Sequence, residues 1–159
     1  MKAVRKVFDP IDAWLTRTMA RSGLTLLRWS VGIVFLWFGV LKFFPGLSPA
    51  QELATRTISV LTFGRIEPST SLWLLAAWET LIGVGLLFNL FMRGTLFLLW
   101  VQMLGTITPL FLFPTDAFTR IPYAPTLEGQ YIIKNLVLIS AGIVLGATVR
   151  GGRLVAESE

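Results

Sequence analysis

Apolar residues in this chain gather into long runs, with few polar interruptions. The stretches 24–44, 72–92, 95–113 and 131–149 are almost continuously apolar. Each is about 19 to 21 residues long, the length an α-helix needs to cross a hydrocarbon core of roughly 30 Å. Lipid offers the backbone no hydrogen bonds, so segments of this length must be helices that satisfy their own N–H and C=O groups. The predicted fold is all-α: a single integral membrane domain over 1–159, built as a four-transmembrane-helix bundle. The first stretch is too long for the apolar region of a secretory signal, and no small-residue cleavage site follows Phe43-Phe44-Pro45, so it reads as a span.

The intervening segments carry shorter patterns. In the leader 1–23, Asp9-Pro10 offers an N-cap followed by proline at the first helical position. Ile11, Trp14, Leu15, Thr18 and Ser22 then share one helical face, with Arg17 and Arg21 on another. This predicts an N-terminal amphipathic helix lying in the membrane interface. After the first span, Ser48-Pro49-Ala50-Gln51 reads as a capping box. Ala50, Leu53, Ala54, Thr57, Ile58 and Leu61 form an apolar stripe, and Gly64 offers a stop. A short extracytoplasmic helix between the first two spans is expected there. The segment 114–130, with Pro114, Pro122 and Pro125, is expected to be irregular, and 150–159 to be a tail.

Charge orients the bundle. Lys2, Arg5, Lys6, Arg17 and Arg21 precede the first span, Arg93 lies between the second and third, and Arg150 and Arg153 follow the fourth. The other two loops balance Arg56, Arg65 and Arg120 against Glu52, Glu67, Asp116 and Glu128. The excess of Lys and Arg on one side predicts cytoplasmic N- and C-termini.

Composition narrows the chemistry. Charged residues make up 14% of the chain and apolar ones 54%, where a soluble domain carries about a quarter charged. The net charge of +5 is spread over helix ends and forms no long basic patch, which argues against nucleic acid. There is no Cys and no His. Disulfides, thiolate nucleophiles, ordinary haem ligation and imidazole metal sites are therefore excluded, and no metal is expected. The sequence shows no self-contained redox or hydrolytic centre, and whether the chain is an enzyme is left open.

Helices in lipid associate through small residues and polar groups. Arg28, Gly32, Gly39 and Lys42 share a face of the first span; Ala76, Glu79 and Gly83 of the second; Gln102, Gly105, Thr106 and Pro109 of the third; Asn135, Gly142 and Gly146 of the fourth. The packing candidates are thus Gly32, Gly39, Ala76, Gly83, Gly142 and Gly146. Lys134 lies about 100° round from Asn135. Arg28 and Lys42 are close enough to the helix ends to snorkel. Glu79 lies about 10 Å from the nearer end and is too short to do so. A carboxylate there is costly unless paired, protonated or solvated by a cavity. Depth places Lys42, Gln102, Thr106, Lys134 and Asn135 near it. The expected cluster is Lys42, Glu79, Gln102, Thr106, Lys134 and Asn135. It is either a structural ion pair or a net cationic pocket for a polar head group or anion. Pro109 should leave the Gly105 carbonyl without its helical donor beside it.

These motifs resemble a known family. Arg28-Trp29-Ser30-Val31-Gly32 through Gly39-Val40-Leu41-Lys42 is similar to the opening helix of the DoxX-like membrane proteins, and Glu79-Thr80-Leu81-Ile82-Gly83-Val84-Gly85 to their second signature. The run Glu128-Gly129-Gln130-Tyr131 through Lys134-Asn135-Leu136 resembles a branch that includes the YkgB-type proteins linked to reactive-chlorine resistance. The resemblance implies a multi-pass protein of the cell inner (plasma) membrane. It implies a membrane subunit or accessory protein of a quinone-linked or oxidative-stress redox system. Its cofactor would be a bound quinone, none being intrinsic. Its partners would be the bilayer and a membrane or peripheral redox protein, with a homo-oligomer also open. Two alternatives stand beside this: a structural or assembly partner in a membrane complex, and a small anion or weak-acid transporter. Arg28, Lys42, Glu79 and Lys134 match motif positions; Gln102 and Thr106 rest on depth and facing alone.

Overall fold

The computed structural model describes residues 2–44, 46–48, 51–152 and 154. Its elements are α1 (Lys2–Leu41), α2 (Gln51–Leu61), α3 (Pro68–Leu87), α4 (Met92–Ile107), α5 (Pro109–Leu112), α6 (Pro114–Ala117), β1 (Phe118–Arg120), β2 (Ala124–Pro125) and α7 (Leu127–Thr148). Four helices are long and apolar enough to cross a membrane: Pro10–Leu41, Pro68–Leu87, Met92–Leu112 and Leu127–Thr148. α1 packs most extensively on α3, α3 on α4, α4 on α7, and α7 back on α1, which closes a four-helix ring. One end of the ring carries Lys42 and the N-terminus of α3; the other carries the α3–α4 turn with Arg93 and the C-terminus of α7.

The leader corrects one expectation. It is helical but not a separate interfacial element, because α1 runs 40 residues without a break. At 1.5 Å per residue that is about 60 Å, twice the hydrocarbon thickness. Pro10 lies inside the helix, so Asp9-Pro10 is no start signal. Nothing between Pro10 and the span forces a stop. The hydroxyls of Thr18 and Ser22 fold back onto the carbonyls of Trp14 and Thr18 at 2.9 and 2.7 Å, so these residues are satisfied within the helix. Pro49 and Ala50 of the expected capping box lie outside the described residues.

Other boundaries shift for local reasons. α3 starts at Pro68, with proline in the first turn where its missing N–H costs nothing. It ends five residues before the apolar run does, because Asn89 adopts φ 56° and the Leu90 N–H returns to the Gly85 carbonyl at 2.9 Å. That is the long bond of a Schellman stop, with Asn in place of the usual Gly. The remaining carbonyls at this end are taken by Arg28, whose guanidinium donates to Leu86 O and, at 3.1 Å, to Leu87 O. Arg28 therefore caps α3 from α1, with its positive charge at the negative end of the helix dipole. α7 starts at Leu127, four residues before the apolar run, because the Thr126 hydroxyl accepts the Gly129 N–H at 3.1 Å. The segment 114–130 is more regular than expected, with α6 leading into a two-stranded antiparallel pair.

The apolar core comprises Val31 and Phe35 of α1, Ile82 and Leu86 of α3, Leu96, Leu99 and Met103 of α4, and Ala141 and Leu145 of α7. Glycine sets the α1–α3 separation. A Cβ on Gly39 would stand 2.7 Å from the Thr80 nitrogen, and one on Gly83 would collide with the Leu36 backbone. Gly32 meets Leu86 and Leu87, and Ala76 is fully buried. Gly142 faces Leu99, whereas Gly146 is exposed, so the two glycines of α7 are not equivalent contacts. At the Lys42 end α2 lies over the ring. Arg56 of α2 bonds Asp116 at 2.7 Å and stacks 4.5 Å from the Phe113 ring centroid.

Candidate polar site within the bundle

Each member of the site comes from a different helix. Lys42 occupies the turn that ends α1, where its N–H bonds the Gly39 carbonyl at 3.1 Å. Glu79 sits on the face of α3 that also buries Ala76 and Gly83. Gln102 sits on the buried face of α4 with Leu99 and Met103. Lys42 Nζ lies 2.6 Å from Glu79 Oε2, and Gln102 Nε2 donates to Glu79 Oε1 at 3.0 Å. One carboxylate thus ties three helices together, using both of its oxygens. Lys42 Nζ also reaches the Phe38 carbonyl at 3.4 Å. All three residues are 8% exposed, so they are buried save for a narrow rim. They stand directly on the apolar core, since Leu99 and Met103 flank Gln102 and Ile82 follows Glu79 by one turn.

The expected cluster is only partly brought together. Lys42, Glu79 and Gln102 converge. Thr106 is half-buried and spends its hydroxyl on the Met103 carbonyl at 3.0 Å. Asn135 is half-buried on α7, and Lys134 is exposed, its ammonium 5.5 Å from the Tyr131 ring centroid. The inward stripe of α7 runs through Ile132, Ala141, Gly142 and Leu145, which turns Lys134 outward. The convergent group is therefore one cation, one anion and one amide: formally neutral, in keeping with the ion-pair alternative and not with a net cationic pocket. The Gly105 carbonyl is not orphaned either; the Thr108 N–H reaches it at 3.3 Å as the helix tightens before Pro109.

Two polar contacts and one unpartnered hydroxyl within the spans escaped the sequence reading. Arg28 caps α3, as described. The Trp78 indole donates to the Leu98 carbonyl at 3.1 Å and joins α3 to α4. The Thr80 hydroxyl is buried against Gly39 without a hydrogen-bond partner. Arg28 and Thr80 were visible in the sequence as polar residues, Arg28 on the face with Gly32 and Lys42 and Thr80 next to Glu79, but neither contact was; nothing marked Trp78. Among the described residues no group of three His, Asp or Glu side chains could hold a metal ion.

A buried ion pair whose carboxylate has both oxygens hydrogen-bonded first of all holds structure. Its attraction is offset by desolvation, but breaking it leaves a stranded charge and costs about 3–5 kcal/mol. The group also retains donors. Lys42 has three ammonium protons and two acceptors, and the Gln102 amide has a second proton.

The profile of the DoxX family matches residues 23–115, more than half of the chain and the part that contributes Lys42, Glu79 and Gln102. No curated protein and no solved structure matches the chain. Lys134, Asn135 and the rest of α7 lie beyond the matched region.

Proposed function

The chain belongs to the DoxX family, and from that premise we propose that it is a membrane subunit or accessory protein of a quinone-linked or oxidative-stress redox system. The carrying observation is the Lys42–Glu79–Gln102 group, which sets spare hydrogen-bond donors at the rim of an otherwise apolar bundle. A quinone head group is a flat apolar ring with two carbonyl acceptors, which such donors suit. The chain lacks Cys and His, so electrons must travel on the quinone or a partner protein. The resemblance of 128–138 to the reactive-chlorine-linked branch supports the oxidative-stress side of the reading. We place the protein in the inner (plasma) membrane with both termini cytoplasmic. Arg93 and Arg150 at one end, against the mixed charges of the α2 and α6–β2 segments at the other, support that orientation. α2 is then extracytoplasmic.

One observation favours a second reading, that of an architectural or assembly protein: both Glu79 oxygens are satisfied and the group is formally neutral. A single experiment separates the two. The full chain is extracted with native lipid, and quinone and co-purifying redox proteins are quantified for the wild type, Gln102→Leu and Glu79→Gln, with thermal stability measured in parallel. The redox reading expects quinone or a redox partner with the wild type and less of it with Gln102→Leu, beyond what the lost hydrogen bond to Glu79 takes from stability. A wild type that carries neither overturns it. Retention by Glu79→Gln despite lowered stability assigns the group to architecture.

A further inference from the structure

The end of the bundle opposite Lys42 holds a cleft that the proposed function does not use. It measures about 520 Å³ and runs between the first turns of α4 and the last turns of α7. From α4 it is lined by Arg93, Leu96, Phe97 and Trp100, which recur at helical spacing. From α7 it is lined by Gly146, Ala147, Val149 and Arg150. The two helices touch higher up, where a Cβ on Gly142 would stand 3.2 Å from Leu99 and 3.8 Å from Trp100. Below that contact the packing loosens: a Cβ on Gly146 would meet only Leu96, at 3.8 Å, and the missing side chain there with the single methyl of Ala147 leaves the cleft open.

The cleft has two chemically distinct halves. Arg93 and Arg150 line it from the two helix ends, one at each. The described residues hold two salt bridges, Lys42–Glu79 and Arg56–Asp116, so neither arginine is paired with a carboxylate among them. Arg28, a basic residue of α1 at this end of the bundle, is committed to the carbonyls at the end of α3. The deeper half is apolar and opens toward lipid, with Phe97 66% exposed. From Arg93 to Trp100 the helix rises about 10 Å, room for the upper part of an acyl chain.

We infer that this cleft is a binding site for an anionic phospholipid, its phosphate held between Arg93 and Arg150 and one acyl chain laid along Leu96, Phe97 and Trp100. Guanidinium groups match phosphate oxygens in bidentate geometry. A free anion would leave the apolar half without a partner, and a zwitterionic lipid brings its own cation to the arginines. An amphiphile with a net negative head satisfies both halves at once.

The test is lipid retention by the full-length protein. Detergent-purified chain is titrated with phosphatidylglycerol or phosphatidylcholine of the same acyl chains, and bound lipid is counted by native mass spectrometry. The tightest phosphatidylglycerol should bind more strongly than phosphatidylcholine, and lose about fivefold in affinity for each of Arg93→Gln and Arg150→Gln. The pair Arg17→Gln with Arg21→Gln removes the same charge elsewhere and should leave that first lipid unaffected. All four arginines are exposed, so the fold should tolerate the changes. As a second measurement, phosphatidylglycerol brominated on its acyl chain should quench wild-type fluorescence more than Trp100→Phe fluorescence. Equal weakening by the two arginine pairs, equal binding of the two lipids, or quenching indifferent to Trp100 would each overturn the assignment.

Discussion

Replacing Lys42 with Met isolates what the polar group contributes to the bundle. The side chains are similar in length, so Met can fill the space of the lysine stem, and what is lost is the ammonium. Glu79 Oε2 then loses its partner at 2.6 Å, while Oε1 keeps the Gln102 amide at 3.0 Å. Glu79 is 8% exposed, too little for water to take over. Stranding one member of a buried pair costs about 3–5 kcal/mol, and the surviving Gln102 bond should keep the loss at the lower end. Glu79→Gln alone should strand the ammonium at a comparable cost. The double variant leaves no buried charge, so it should be less destabilised than the sum of the singles by about 2 kcal/mol or more. The assay is reversible unfolding in mixed micelles, followed by tryptophan fluorescence, for the four members of the cycle. If Lys42→Met costs under about 1 kcal/mol, or the two changes simply add, the pair is not what joins α1 to α3.

Three further outcomes are expected. Gly83→Ala should destabilise by about 1–3 kcal/mol in the same assay, because its Cβ collides with the Leu36 backbone, whereas Gly105→Ala, with nothing within 4 Å, should be neutral or stabilising. Arg28→Gln should cost about 1–3 kcal/mol by uncapping the Leu86 and Leu87 carbonyls, with faster hydrogen exchange in the last turn of α3. Lys134→Met should change stability by less than about 0.5 kcal/mol, since the ammonium is exposed and rests only against Tyr131.

The contrast between Lys42 and Lys134 shows how far the sequence could be read. Runs of apolar residues reveal spans, because lipid demands length and hydrophobicity of every crossing helix. Depth along each span then follows from counting, and it put Lys42, Glu79 and Gln102 in the same half of the bundle, where the structure joins them. Depth does not specify rotation about the helix axis. Lys134 and Asn135 lie at similar depth about 100° apart, and only the packing of Ala141, Gly142 and Leu145 against α4 and α1 decides which of them faces inward. Helix ends were hard to read for a similar reason. The stop at Asn89 depends on a left-handed residue within an apolar run, and the cap by Arg28 comes from a residue 58 positions away. Gly39 and Gly83 were legible as small residues on polar faces, but not that each meets backbone of the opposite helix.

The pairing of Glu79 is the claim on which the bundle's inside rests, and it can be measured directly. The chain is prepared with ¹⁵N-lysine and ¹³C-glutamate, reconstituted in lipid, and examined by solid-state NMR for dipolar coupling between lysine Nζ and glutamate Cδ, with Lys42→Met and Lys134→Met providing the assignments. The structure, with Nζ 2.6 Å from Oε2, predicts a strong coupling to Glu79 that vanishes in Lys42→Met and survives in Lys134→Met. A coupling that survives in Lys42→Met and disappears in Lys134→Met would contradict it.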